Sequence, residues 1–395
     1  MPAGLTVQSI LQAVYPAYER THPVAAHVRR AIWWLLRCGT GELGSYERRC
    51  PDGHYRETVG RSCRHRACPR CAWRRGEEWL ERWRTRLLPG THFHVVFTLP
   101  SQLYALWRYN RELLAQLLCL AAWGTLREVL GHPQWEPLPG VLPGVLMALH
   151  TWNRALLLHP HVHCLVTAGG LDALGQWVAI ERAILAPASV LRTVFRGKLL
   201  HALERAGQRG ELVLPPQWTA RTLTLALQAA AKRTWNVRAE PPYRHGTGLV
   251  IYLARYVCGG SLGDRRLVAF DGERVSFVVG RERQQPTTAT VPAAAFVRRL
   301  TEHIPHPGQR LTRAYGLYAC THRAQLAQVR AQLDTALPPA AAAGAAPTPA
   351  APPPRPGCPV CGQPLELVDL SPPSRRRAPN ASRPTARGQP AALAA

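Results

Sequence analysis

Two histidines and two tyrosines have the types and spacings that could cut a phosphodiester. In HPHVHCLV, His161 and His163 stand two residues apart. Side chains alternate along a β-strand, so both imidazoles project from one face while Val162, Cys164 and Val166 point to the other. Two imidazoles on one face can share a metal ion; the plainer alternative is a pair of satisfied core histidines. In VIYLARYVCGG, Tyr252 and Tyr256 are four apart, hence on one face of a helix. A phenol with a pKa of about 10 is a weak nucleophile at neutral pH. It needs a nearby cation, a role open to Arg255, and a metal to polarise the phosphate. The plainer alternative is an aromatic pair packed into a core. Cys68/Cys71 and Cys358/Cys361 have the two-residue gap of metal knuckles, whereas Cys38, Cys119, Cys164 and Cys258 sit singly among apolar neighbours and read as packing residues.

The elements that must hold these groups follow from periodicity. Residues 1 to about 37 show helical spacing and end before Gly39. Residues 46–76 form a Cys/His/Arg-rich block too small to bury a core without a metal. A Trp/Arg-rich helix over about 74–88, a strand in THFHVVFTLP and a helical stretch over about 103–131 come next. Residues 143–170 read as two apolar strands around a loop, closed by Gly169 and Gly170. A helix (about 188–207), a strand (about 221–228), a helix (about 247–257) and the hairpin pair RRLVAFDG and RVSFVVGR complete an α+β pattern built on one mixed, mostly antiparallel sheet with flanking helices. From Ala336 the chain is Ala/Pro-rich, and after Ser371 Arg/Pro/Ala-rich; both stretches are expected to be disordered, with CPVCGQPLELVDL between them. No internal repeat is present.

The chain has 395 residues with 49 Lys plus Arg against 24 Asp plus Glu, a net charge of +25. Such a balance attracts a polyanion through counterion release, so nucleic acid is the natural partner, although a basic structural or ribosome-associated protein would share it. Eleven cysteines occur without a basic start, apolar h-region and cleavage site, which points to a cytoplasmic setting and to zinc rather than disulfides. Every apolar run is interrupted by Arg, Glu, Pro or Gly, so no membrane span is expected.

Six segments in order, SCRHRACPRC, HFHVVFTLP, HTWNRALLLHPHVHCLVTAGG, VFRGKLLHAL, YLARYV and AFVRRLTEHIPHPGQRLTRAYGLY, resemble transposases of the insertion-sequence-91 family, the His-hydrophobe-His, two-tyrosine group. The resemblance runs through most of residues 10–330. It implies an HUH nuclease-like fold behind a small zinc-binding domain, with metal histidines at His161 and His163 and nucleophiles at Tyr252 and Tyr256. It implies a 5′-phosphotyrosine bond and a free 3′-OH, so that cleavage can be reversed as ligation. Mg²⁺ or Mn²⁺ is the expected catalytic ion. The third ligand is expected at His150, eleven residues before His161, with His159 or an oxygen side chain as alternatives.

Cys63, Cys68 and Cys71 match the family's zinc segment, and the fourth Zn²⁺ ligand is Cys50 or His54, because Gly53 stands where the family commonly has a second cysteine. Arg61, Arg64, Arg66, Arg70, Arg74 and Arg75 would line a DNA-facing surface at the element's ends, or else a solvated face. Cys358 and Cys361 could be half of a second zinc site, with Cys320 and His322 as possible partners, and Arg375–Arg377 a phosphate-binding tail. The expected division is residues 1–88 for the N-terminal helix and zinc-binding domain, 89–335 for catalysis and 336–395 for the tail. The partners are single-stranded DNA at transposon ends and target DNA. Rival readings are a rolling-circle replication initiator or relaxase, a non-catalytic zinc-finger DNA-binding protein, and a basic RNA-binding protein.

Overall fold

A computed structural model describes residues 4–131, 141–243, 248, 250, 251, 253, 254, 260–282, 285–336 and 357–371. The expected disorder after Ala336 and after Ser371, the Arg375–Arg377 cluster, and Tyr252, Arg255, Tyr256 and Cys258 all fall outside these residues.

The elements in chain order are α1 (Val7–Thr21), α2 (Ala26–Arg37), β1 (Ser45–Arg49), β2 (Arg56–Gly60), α3 (Pro69–Arg84), β3 (His92–Thr98), α4 (Tyr104–Tyr109), α5 (Arg111–Leu130), β4 (Leu142–Trp152), β5 (Leu158–Leu171), β6 (Trp177–Ala179), α6 (Ala188–Gln208), α7 (Ala220–Ala231), β7 (Val237–Tyr243), β8 (Leu267–Phe270), β9 (Arg274–Glu282), β10 (Gln285–Pro292), α8 (Ala293–Glu302), β11 (Thr312–Gly316), α9 (Arg323–Ala336) and β12 (Glu366–Ser371). They make a mixed α+β structure with three antiparallel sheets.

The central sheet has the order β11-β4-β5-β3-β7, with β6 pairing β5. Alternation gives it two faces. Phe93, Val95, Phe97, Val145, Met147, Leu149, Val162, Cys164 and Val166 share one core with residues of α4, α5, α6 and α7. Leu146, Ala148 and Leu165 lie on the opposite face, in a cluster with Trp79, Leu80 and Trp83 of α3, Val329 of α9 and the helical residues Val250, Leu253 and Ala254. Both edge strands, β7 and β11, escaped the sequence reading: VRAEPPY is polar and carries Pro241 and Pro242, which fall where its register on β3 breaks between His92 and His94, an irregularity an edge strand tolerates.

One expected strand is a helix. TLTLAL alternates as a strand would, yet residues 220–231 form α7, because Thr219 caps it by accepting from the Thr222 amide (3.2 Å) and Leu223 and Ala230 bury at helical spacing. α5 is long and apolar enough to cross a membrane, which the expectation of no such run did not allow; Leu114, Leu118, Ala122 and Leu126 account for its composition by packing into the sheet's core.

A second core joins α1 and α2 to the elements that follow Gly263. α1 starts at a capping box between Thr6 and Ser9, and its Val7 amide also donates to Asp264 Oδ1 (2.8 Å). Ile10, Leu11, Ile32 and Leu35 of α1 and α2 pack with Val275, Phe277, Phe296 and Val297 of the β8–β9–β10 sheet and α8. The turn between β4 and β5 plugs into this core. Leu156 there is fully buried despite φ of 58°, a region L-residues seldom enter, and Asn153 Oδ1 accepts from the amides of Ala155 and Leu157. Arg299 donates to the Ala155 carbonyl (3.1 Å) and His303 Nε2 to that of Leu156 (3.0 Å). Leu156→Ala should therefore cost about 2–5 kcal/mol of stability by leaving a cavity where two cores meet. Urea unfolding of the purified variant against the parent measures it.

Candidate metal centres

The β4–β5 register sets the first cluster. His150 pairs directly with His161 and Ala148 with His163, so the three imidazoles share the sheet face that bears Leu146 and Leu165. Ring centroids are 5.2 Å apart for His150 and His161, 4.4 Å for His150 and His163, and 4.9 Å for His161 and His163. One ring nitrogen from each lies within 4.8 Å of the others. His150 and His163 are buried and His161 is half-buried.

The surrounding hydrogen bonds orient these rings. His161 Nδ1 donates to the His159 carbonyl (2.6 Å), which leaves its Nε2 with the lone pair a metal requires. His163 Nδ1 lies 2.9 Å from His94 Nε2, so His163 turns its other nitrogen toward the cluster. His94 was not singled out from sequence. Its signal was the alternation in HFHVVF, where His92 and His94 share one strand face and Phe93, Val95 and Phe97 the other. His92 is satisfied by the Tyr318 hydroxyl (2.7 Å), and His159 Nδ1 by the Tyr104 hydroxyl (3.1 Å).

Burial pushes His161 and His94 down to about 4 and holds His150 and His163 well below the ordinary imidazole value; neighbouring imidazoles add to the effect at His150 and His163. All four rings are neutral at pH 7, the protonation state of a metal ligand.

Two further clusters involve thiols. Cys38, Cys63, Cys68 and Cys71 place their sulfurs within 4.8 Å of one another, with Cys71 Sγ 3.6 Å from Cys38 Sγ and 3.7 Å from Cys63 Sγ. A disulfide needs about 2.05 Å. Tetrahedral zinc with bonds of about 2.3 Å sets its ligand sulfurs about 3.8 Å apart, so the four thiols fit it. The Cys63 thiol, first among the neighbouring sulfurs, holds the Cys38 thiol below its ordinary value. This corrects two readings. Cys38 is the fourth member of the set rather than a packing residue; it ends α2, far in sequence from any knuckle, and its burial gives it an apolar look. Cys50 and His54 belong instead with Cys358 and Cys361, and those last two do not gather with Cys320 and His322.

The arginines divide. Arg61 pairs with Asp369 (2.6 Å), Arg66 donates to the carbonyls of His306 and Gln309, Arg70 to that of Cys38 (2.9 Å) and Arg75 to that of Arg64 (3.2 Å). These four fasten elements together. Arg64 and Arg74 are exposed, the latter beside Glu78 (3.3 Å).

Residues 10–99 match the family model described as "Transposase zinc-binding domain", and residues 144–325 the one described as "Putative transposase". The chain is 32% identical over 345 residues to "Putative transposase y4qJ" of Sinorhizobium fredii (strain NBRC 101917 / NGR234), covering 85% of this chain and 86% of the relative. It is 31% identical over 299 residues to "Transposase for insertion sequence element IS801" of Pseudomonas savastanoi pv. phaseolicola, covering 72% and 68%. The chain belongs to the insertion-sequence-91 family of transposases. No solved structure matches it. In this transposase all four cysteines of the first thiol cluster fall inside the zinc-binding match, which supports structural Zn²⁺ there, and His150, His161 and His163 fall inside the other match.

Two outcomes follow from the histidine geometry. Above pH 6.5 the buried rings are neutral in both folded and unfolded transposase; between 6.5 and about 4 only the unfolded chain takes up protons, so the metal-free protein should lose stability as pH falls through that window. Urea midpoints collected from pH 7.5 to 4.5 test the sign. If the three imidazoles hold a divalent ion, His94→Ala should weaken its binding about 10- to 100-fold by freeing the His163 ring, read by calorimetric titration with Mn²⁺.

Proposed function

We propose that this transposase cleaves and rejoins single-stranded DNA by a rolling-circle route, through a 5′-phosphotyrosine intermediate made at the His150–His161–His163 cluster. The observation that carries the reading is that three neutral imidazoles converge on one sheet face while Val250, Leu253 and Ala254, which bracket Tyr252 in sequence, pack on that same face. The antiparallel central sheet with helices on both faces is consistent with an HUH nuclease-like catalytic domain over residues 89–335. Residues 1–88 would recognise the element's ends, with exposed Arg64 and Arg74 contacting phosphates; the expected tail of residues 336–395 is interrupted by β12, which pairs with β1 of that domain.

His150, His161 and His163 would hold a divalent ion, which supplies charge to polarise the oxygens of the scissile phosphate. No carboxylate joins the three imidazoles among the described residues, a donor set that favours Mn²⁺ over Mg²⁺. His94 and the His159 carbonyl keep the rings aimed. Arg255 favours the phenolate form of its neighbour Tyr256. A phenolate oxygen of the tyrosine pair attacks phosphorus, a new O–P bond forms to the 5′ side as the P–O3′ bond breaks, and the departing 3′ oxygen takes a proton from water to become a 3′-OH. Because the bond energy is kept in the covalent link, a 3′-OH can run the step backwards, and the second tyrosine can serve the other strand transfer.

An end-bearing single-stranded oligonucleotide mixed with protein and Mn²⁺ should give a covalent adduct on a denaturing gel. Tyr252→Phe with Tyr256→Phe should abolish it, and His161→Ala or His163→Ala should reduce it by at least about 100-fold with the circular dichroism spectrum unchanged. An undiminished adduct in the double tyrosine variant would refute the assignment.

A further inference from the structure

The zinc-binding match ends at residue 99, and CPVCG lies near the other end of the chain. Taken separately, each of two short segments falls short of a metal site. The β1–β2 hairpin turn offers Cys50 and His54, and the segment before β12 offers Cys358 and Cys361. Folding brings all four donor atoms within 4.8 Å of one another. Cys50 Sγ lies 3.5 Å from Cys361 Sγ, 311 residues away in sequence, and 3.8 Å from His54 Nδ1.

We propose that Cys50, His54, Cys358 and Cys361 form a second zinc site, a clasp that locks the C-terminal segment onto the N-terminal zinc-binding domain. The sulfur separation is too long for a disulfide, at about 2.05 Å, and close to the roughly 3.8 Å edge of a tetrahedron built on Zn–S bonds of about 2.3 Å. Three thiols and one imidazole are a soft set that selects zinc over hard cations.

Both halves have knuckle geometry. The Gly53 amide donates to the Cys50 carbonyl (3.0 Å), and the Gly362 amide to the Cys358 carbonyl (2.8 Å). Gly53 and Gly362 hold φ of 80° and 76°, left-handed values that glycine adopts without penalty. The Val360 amide points at Cys358 Sγ (3.4 Å), the type of contact that stabilises a thiolate.

Among the described residues this junction has little apolar support. Its apolar core is Cys50, Cys358 and Leu365 with Tyr55 against them, too small to order a segment arriving from the far end of the chain. Beyond the four donors, β12 adds to β1 as a third antiparallel strand, with Arg49–Glu366 (3.1 Å) and Arg61–Asp369 (2.6 Å) across the seam. Exposed pairs of that kind contribute little by themselves. A metal gathering two ligands from each partner makes strand addition hold.

Zinc content of the full-length protein carrying His161→Ala and His163→Ala, taken as the parent here, decides it, which keeps the result independent of the catalytic reading. Native mass spectrometry should find two Zn²⁺ per chain, one in Cys358→Ser with Cys361→Ser, and one in Cys68→Ser with Cys71→Ser. A single zinc in the parent, or unchanged content in the Cys358/Cys361 variant, would overturn the proposal. As a second readout, a protease site placed within residues 337–356 of the full chain is cut in zinc buffer. The C-terminal peptide should stay with the body on gel filtration in the parent and separate in the Cys358/Cys361 variant; equal retention or equal loss in both would count against the clasp.

Discussion

The antiparallel register of β4 on β5 is the constraint from which the rest follows. A shift of one residue would send His150 or the His161/His163 pair to the opposite face, into the core of Val145, Met147 and Val162. The register is fixed from both ends: Leu146 and Leu165 meet in the cluster beneath α3, and Leu156 at the turn is driven into the core shared by α1, α2, α8 and the small sheet. Asn153 supplies the hydrogen bonds that let a leucine hold a positive φ there. The geometry of the three imidazoles and the joint between two cores are thus one device, since the same hairpin carries both.

Desolvation then sets the chemistry. Imidazoles taken out of water resist protonation, so burial prepares neutral donors with no need for a basic neighbour. The thiol clusters solve a different problem. The Cys/His/Arg-rich block cannot fill a core, so Cys38 at the end of α2 and the knuckle of α3 bring their sulfurs together in a set that fits zinc, and the same block receives the C-terminal strand.

The net charge of +25 overstates the surface offered to DNA. Many arginines spend their donors on backbone carbonyls between remote elements: Arg66 on the 306–309 loop, Arg299 on the β4–β5 turn, and Arg330 on Thr85 and Leu87 behind α3. A guanidinium can satisfy several carbonyls at once while keeping its charge near the surface, which suits it to joining elements that lack apolar contact.

The residues alone determined the pairing of His161 with His163 on one face, the two central strands, the helices on either side of them and the knuckle spacings, because alternation and helical period are local and survive without context. Ordered motifs were enough to fix the family. Tertiary structure decided what depends on partners distant in the chain: His94 behind His163, Cys38 completing the first thiol set, Cys50 and His54 meeting Cys358 and Cys361, and polar edge strands β7 and β11 closing the sheet. It also turned the alternating TLTLAL into α7, since a cap at Thr219 and a core waiting for Leu223 and Ala230 outweigh intrinsic preference. Sequence spacing fixes which donors can share a face; only the fold brings donors hundreds of residues apart within reach of one ion.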